Sequence, residues 1–146
     1  MDPVRDGIIA ELTPAQRLGF LSVLFRVAQA DKVSTTERDH LKPLLAWFRA
    51  PEDEVTEAMR QAYDHQVSLG DMVSGMRASS AGILLFRECC AVVWSDGSKS
   101  HSEAQFLDEL AEQLTLSEAS RQVLDSPLAC SPEGERRFLL HLNPNS

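Results

Sequence analysis

A short pattern of residue types occurs twice in this chain, about 66 residues apart, and it restricts the possible folds more than any other feature. In each copy an apolar segment of helical length ends in an Asp, a polar turn follows, and a Glu then opens an amphipathic helix. The first copy contains Asp31 and Glu37, and the second contains Asp96 and Glu103. A repeat of this kind indicates a duplicated structural unit. Two copies of a long unit favour a bundle of two related halves over a solenoid.

Apolar residues recur with a period near 3.6 along almost the whole chain, without a convincing alternation of period two. This periodicity predicts an all-α fold, with one domain over residues 1–146 formed by a bundle of about eight helices and a pseudo-twofold duplication. A chain of 146 residues is long enough to bury one such core. The predicted halves cover about residues 14–67 and 80–125, and a final helix covers about residues 132–142.

Polar capping residues mark the starts of several helices. In the capping-box pattern Ser/Thr-x-x-Glu/Gln, two side chains bond reciprocally to the first turn of a helix. This pattern occurs at Thr13–Gln16, Ser34–Glu37 and Ser100–Glu103. The helices predicted from Thr13 to about Ala30 and from Ser80 to Ser95 are apolar on most faces, which is typical of buried helices.

Further helices are predicted in the remaining segments. One extends from Pro51 to about Val67, one lies near Asp71–Met76, and one, capped by Ser117, ends near Leu124. Pro43 lies inside the helix that Ser34 opens, and we expect it to bend that helix because proline removes a backbone hydrogen bond.

Charge and composition exclude several classes of protein. A formal charge of −8, with Arg136–Arg137 as the one adjacent basic pair, argues against a nucleic-acid-binding protein. The longest apolar run, Ile83 to Trp94, is too short to span a bilayer, and the N-terminus has no signal-peptide pattern. Three cysteines do not form a disulfide framework and indicate a reducing compartment. We therefore predict a soluble cytoplasmic protein without membrane insertion.

The repeated pattern resembles that of the TerB-like domains. In this chain it reads Ala30-Asp31-Lys32-Val33-Ser34 up to Glu37, and Ser95-Asp96-Gly97-Ser98-Lys99-Ser100 up to Glu103. The similarity extends from about Leu18 to Leu124. These domains are named for a tellurite-resistance protein and also occur in membrane-tethered co-chaperones and in uncharacterised bacterial proteins. The resemblance implies an all-helical fold of two related halves, in a bacterial protein.

The resemblance also implies a function. TerB-like domains are described as non-enzymatic, acidic, metal-associated modules for sensing or scaffolding in stress responses. Their acidic pairs correspond to four positions of this chain: Asp31, Glu37, Asp96 and Glu103. Two residues depart from the family pattern, since Lys32 replaces a Gly and Lys99 replaces an aliphatic residue. Each lysine could neutralise part of the acidic cluster.

The four carboxylates have two interpretations. If the two helical units face each other, the carboxylates could converge on a divalent cation, with Ca²⁺ favoured because it takes six to eight oxygen ligands. A basic partner could bind the same acidic turns. Alternatively, Glu37 and Glu103 only complete capping boxes, and the two aspartates bond to amides of their own turns.

Charged residues inside the apolar helices are the second group of candidates: Arg26, Arg87 and Glu88. One interpretation is that they reach the surface or pair with acids. The other is that they line a polar groove between the halves, where a charged ligand or peptide docks. In that case the protein is an interaction adaptor and its acidic residues are purely structural caps.

No catalytic residue is predicted. The chain has no Gly-x-Ser-x-Gly elbow, no phosphate-binding Gly-rich loop and no His-Glu-x-x-His motif. Its histidines are scattered, without the spacing of a transition-metal site. Cys89 and Cys90 are neighbours in an apolar segment, so we expect them to be core residues. These observations favour a protein that is not an enzyme.

Overall fold

The computed structural model describes residues 3–29, 46, 48–64, 66–94 and 99–142. Within these ranges the regular secondary structure is entirely helical, which confirms the predicted all-α fold. The described residues form eight α-helices and one 3-10 helix: α1 (Pro3–Ala10), α2 (Pro14–Gln29), α3 (Glu52–Tyr63), α4 (Leu69–Val73), α5 (Ser80–Trp94), α6 (His101–Gln113), α7 (Glu118–Leu124), the 3-10 helix (Pro127–Cys130) and α8 (Pro132–Leu142).

Two long helices, α2 and α5, supply much of the core. Every residue of α5 from Leu84 to Val93 is buried. Helix α2 contributes a second group of buried apolar side chains: Phe20, Leu21, Val23, Leu24 and Val27. The prediction that these two segments are buried helices is therefore confirmed. Removing one such Leu or Phe side chain from water stabilises the fold by about 1.5–3 kcal/mol.

The predicted helix starts are seen where the structure describes them. Thr13 Oγ1 accepts the N–H of Gln16 at 3.1 Å, and Gln16 Oε1 accepts the N–H of Thr13 at 2.9 Å. The box at Ser100 and Glu103 has the same two bonds, and Ser117 Oγ accepts the N–H of Ser120. The box predicted at Ser34–Glu37 and the bend predicted at Pro43 lie outside the described residues.

Some boundaries differ from the predictions. The helix predicted from Pro51 to Val67 ends at Tyr63, and Asp64 has an extended backbone. The short helix predicted near residues 71–76 begins earlier, at Leu69, because Ser68 caps it through the N–H of Asp71. Helix α1 and the 3-10 helix were not predicted, since both are too short for a clear periodic signal.

The duplication remains a prediction. Both halves begin with a buried helix, α2 in the first and α5 in the second. Helix α6 follows α5 through the second acidic turn, of which residues 95–98 are not described. The segment that would correspond to this turn in the first half, including Asp31 and Glu37, lies outside the described residues.

Candidate functional site

Glu103 is the one member of the predicted acidic set that lies within the described residues. Asp31, Glu37 and Asp96 fall in residues 30–45 and 95–98, outside those ranges. On the two sides of the second acidic turn the structure describes Trp94, at the end of α5, and Lys99, before α6.

The carboxylate of Glu103 is buried, with the residue only 4% exposed. Its Oε1 accepts the backbone N–H of Ser100 at 2.9 Å, while Ser100 Oγ accepts the N–H of Glu103 at 3.1 Å. These two bonds form the predicted capping box, so Glu103 stabilises the start of α6. The second oxygen, Oε2, is buried and has no hydrogen-bond donor among the described residues. A buried polar atom without a partner costs free energy, which a bound cation would offset.

Lys99 pairs with an acid outside the predicted set. Its Nζ lies 2.7 Å from Asp125 Oδ2, at the C-terminal end of α7. The same ammonium group lies 5.5 Å from the centre of the Trp94 ring. The indole Nε1 of Trp94 donates to Asp125 Oδ1 at 2.9 Å. Lys99 thus has a carboxylate partner of its own, which limits how far it can neutralise the acidic turn.

Arg26, a predicted partner-binding residue, binds the end of helix α3. Its guanidinium donates to four backbone carbonyl oxygens at 2.7–3.1 Å: those of Gln61, Ala62, Asp64 and Val67. A cation at this position complements the negative end of the helix dipole. Burial lowers the pKa of Arg26, but a guanidinium remains charged at physiological pH.

Arg87 and Glu88, the other two predicted partner-binding residues, are buried in α5. Arg87 is 7% exposed and Glu88 is 2% exposed. Arg87 Nη1 lies 3.4 Å from Glu88 Oε1, and the guanidinium carbon is 5.7 Å from the centre of the Phe138 ring in α8. Both groups are buried in the described structure, and their role in partner binding stays a prediction.

These elements can be compared with known proteins. The family model described as tellurite resistance protein TerB matches residues 17–125, about three quarters of the chain. The chain belongs to the TerB family. The match includes nearly all of α2, all of α3 to α7, Glu103 and Asp125. No curated protein and no solved structure matches the chain.

The metal site suggested for this TerB-family chain is not tested by the described residues. Within them, no group of three or more His, Cys, Asp or Glu side chains is arranged to hold a metal ion. Three of the four predicted ligands lie elsewhere, so the predicted convergence of four carboxylates stays a prediction. The Glu103 carboxylate fits a hard cation, because such ions prefer oxygen ligands and its Oε2 is available.

A groove between the starts of α2 and α3 was not predicted. It has a volume of about 410 Å³ and is lined by four apolar and three acidic residues: Pro14, Ala15, Leu18, Pro51, Asp53, Glu54 and Glu57. Arg17 binds Glu54 through two nitrogens, at 2.6 and 3.1 Å, and so joins the two helices beside the groove. The sequence carried no signal for this groove, because its walls are about 40 residues apart in the chain.

The adjacent cysteines lie in the core of this TerB-family fold. Cys89 and Cys90 are fully buried, as the sequence predicted. Burial raises the pKa of both thiols well above the usual value. The described helices also include none that is long and apolar enough to cross a bilayer.

Proposed function

We propose that this TerB-family chain is a non-catalytic cytoplasmic module of a bacterium that binds a divalent cation, with Ca²⁺ favoured, through its acidic turns. A basic partner is the alternative ligand of the same turns, and a tellurite-type stress response is the proposed setting. The observation that supports the proposal is the buried Glu103 Oε2, which lacks a donor among the described residues.

The capping box also orients the Glu103 carboxylate for binding a ligand. Because Oε1 is held by the Ser100 N–H at 2.9 Å, the carboxylate has a fixed orientation and Oε2 is left for a ligand. Asp96 of the same turn and the pair Asp31 and Glu37 are the proposed further ligands. A bound cation would supply positive charge to these carboxylates and link the two halves.

The electrostatics near the second turn favour this proposal. Lys99 is one of the two departures from the family pattern that could neutralise part of the acidic cluster. Its ammonium group is paired with Asp125 at 2.7 Å and is partly buried, with 24% of the side chain exposed. A partly buried ion pair is screened less than a surface pair, so the positive charge of Lys99 is largely balanced by Asp125.

Thermal unfolding of chelator-stripped protein, with and without Ca²⁺, Mg²⁺, Zn²⁺ and Mn²⁺, tests the proposal. A hundredfold excess over Kd stabilises by about 2.7 kcal/mol, which raises Tm by about 5–10 °C. E103Q preserves the capping box, because Gln can replace Glu there, but it removes the charge. We expect the shift to disappear in E103Q and in the double variant D31N/D96N.

The matched control is E112Q, which changes an exposed carboxylate on the same helix. E112Q should respond to the cation as the wild type does. If the wild-type Tm moves with none of the four ions, the cation-binding function is wrong. If E103Q and E112Q respond equally, Glu103 is only a capping residue.

The α2–α3 groove supports a second candidate function, that of a protein-interaction adaptor. Its four apolar residues and its acidic side suit a basic amphipathic peptide, which would compete with Arg17 for Glu54 and with Arg60 for Glu57. Ala15 lies exposed in the groove, and Ala10 is exposed on α1. We expect A15R to abolish binding of such a peptide in a fluorescence titration and A10R to leave it unchanged. Equal binding by both variants would exclude the groove.

A further inference from the structure

The three carboxylates of the α2–α3 groove differ in whether the fold already neutralises them. Both oxygens of Glu54 accept bonds from Arg17. Both oxygens of Glu57 accept bonds from Arg60. Asp53 is exposed, and no group of the described residues donates to its carboxylate. We propose that Asp53 selects the ligand of this groove, a peptide with one arginine or lysine beside an apolar side chain, an inference that rests on the groove's proposed binding of a basic peptide.

Binding of a ligand cation at either of the other two carboxylates gains little affinity. At Glu54 the cation competes with Arg17, whose nitrogens lie 2.6 and 3.1 Å from the two carboxylate oxygens. At Glu57 it competes with Arg60, whose bonds are 2.5 and 2.9 Å long. Each exchange replaces one ion pair by another of the same kind. An ion pair at Asp53 breaks no bond of the fold, so its whole contribution appears in the affinity.

The apolar part of the groove determines the second feature of the ligand. It consists of Pro14, Ala15 and Leu18 in the first two turns of α2 and of Pro51, the N-cap of α3. Three of these four residues are exposed, and Leu18 is partly buried. An apolar side chain of the ligand would remove this surface from water. Asp53 lines the same groove two residues after Pro51, so neighbouring apolar and basic side chains of one peptide would reach both parts.

The two helices that form the groove are already joined by polar bonds. Arg17 of α2 donates to Glu54 near the start of α3, and Arg26 donates to the carbonyl oxygens of Gln61 and Ala62 near its end. A groove that is formed before binding requires little ordering when the ligand arrives. The effect of Asp53 should therefore be that of one exposed ion pair, about three- to fivefold in Kd.

The experiment uses two short fluorescein-labelled helical peptides. The first has leucines and a single arginine on one face, and the second has citrulline in place of the arginine, which keeps the shape and removes the charge. Fluorescence polarisation measures the Kd of both peptides for wild type, D53N and E57Q. E57Q is the matched control, because it removes a negative charge of the same groove from a carboxylate that Arg60 already binds.

D53N should weaken binding of the arginine peptide about three- to fivefold and leave binding of the citrulline peptide unchanged. E57Q should change the Kd of either peptide by less than about 1.5-fold, since Arg60 already neutralises Glu57. Equal losses in D53N and E57Q would show that only the overall charge of the groove matters. That result, or equal affinity of wild type for the two peptides, would overturn the inference.

Removing a competing arginine should create a second cation site. Asp53 and Glu57 are four residues apart on α3 and therefore lie on the same side of the helix. R60M releases Glu57, so a peptide with a second arginine one turn from the first should bind R60M more tightly than the single-arginine peptide does. The wild type should bind these two peptides alike. A second arginine that tightens binding to wild type as much as to R60M would overturn the selection by Asp53.

Failure of the groove and failure of the inference give different results. If the wild type binds none of the peptides, or A15R binds them as tightly as the wild type, the groove is not a peptide site and the second candidate function is wrong. If A15R abolishes binding while D53N binds the arginine peptide as tightly as the wild type, only the role of Asp53 is wrong. Circular dichroism verifies that each variant is folded, as we expect for substitutions of exposed residues.

Discussion

Gly19 of α2 lies against the backbone of Met72, so closely that a Cβ at position 19 would stand 2.0 Å from the Met72 carbonyl oxygen. Gly82 of α5 has the same relationship with the carbonyl oxygen of Met76, at 2.4 Å. The segment from Met72 to Met76 thus touches the backbones of both central helices. Only residues without a side chain allow such an approach, so the packing of α2, α4 and α5 depends on two glycines.

We predict that G19A lowers the free energy of unfolding by about 1–3 kcal/mol, because the new methyl group must displace the Met72 carbonyl. The control is G7A, since a Cβ at Gly7 in α1 would meet nothing within 4 Å. G7A should be neutral or stabilising by up to about 1 kcal/mol, because Ala favours a helix over Gly. Urea unfolding measures both. A G19A protein as stable as the wild type would contradict the close packing.

Substitutions of Arg26 distinguish its two proposed roles, that of capping the end of α3 and that of binding a partner. R26M removes the guanidinium that donates to four carbonyl oxygens at and just beyond the end of α3. Those of Gln61 and Asp64 keep a backbone N–H donor, whereas those of Ala62 and Val67 lose the bond from Arg26, and we predict a loss of about 2–3 kcal/mol in urea unfolding. R26K should recover only part of this, because one ammonium cannot replace the planar guanidinium.

The control for Arg26 is R60M, on α3 itself. Arg60 is 59% exposed and pairs with Glu57 at the surface, where such pairs contribute little. We expect R60M to change stability by less than about 0.5 kcal/mol. Wild-type stability in R26M, combined with loss of a partner, would instead favour the predicted docking role of Arg26.

The buried thiols predict a pH dependence with a defined sign. Burial raises the pKa of Cys89 and Cys90 in the folded state, so above about pH 8.5 the unfolded chain releases protons that the folded chain keeps. Stability from these thiols is fully present below that pH and is lost as the pH rises. The loss approaches about 1.4 kcal/mol per pH unit for each thiol.

The measurement compares urea unfolding of C130S with that of C89A/C90A/C130S between pH 7 and 10. The triple variant should show the shallower slope, and the folded C130S protein should resist a thiol reagent until it unfolds. Equal slopes, or rapid labelling of folded C130S, would show that the two thiols are not protected as the structure indicates.

Local signals in the sequence were sufficient for several features of the fold. The capping boxes at Thr13 and Ser100 were predicted correctly because their partners are only three residues apart. The burial of α2 and α5 followed from their apolar faces. In these cases a few consecutive residues decide the structure, and the sequence shows them directly.

Long-range contacts were not predictable in the same way. Arg26 binds carbonyl oxygens 35 to 41 residues away, and Asp125 binds Trp94 and Lys99 from 31 and 26 residues away. No periodicity or motif marks such partners, because they depend on how the helices pack. The capping role of Glu103 was predicted for the same local reason as the others, whereas the burial of its second oxygen was not.

Capping and cation binding at Glu103 should separate in two variants. S100A removes the hydroxyl that accepts the Glu103 N–H and should lower stability by about 1 kcal/mol. The backbone N–H of Ser100 still holds Glu103 Oε1 in S100A, so the cation-dependent rise in Tm should persist. E103Q should show the opposite pattern, with cation-free stability within about 1 kcal/mol of wild type and no cation response. Thermal unfolding of both variants with and without Ca²⁺ decides the question, because a site that is only a cap would give no cation response in any of the three proteins.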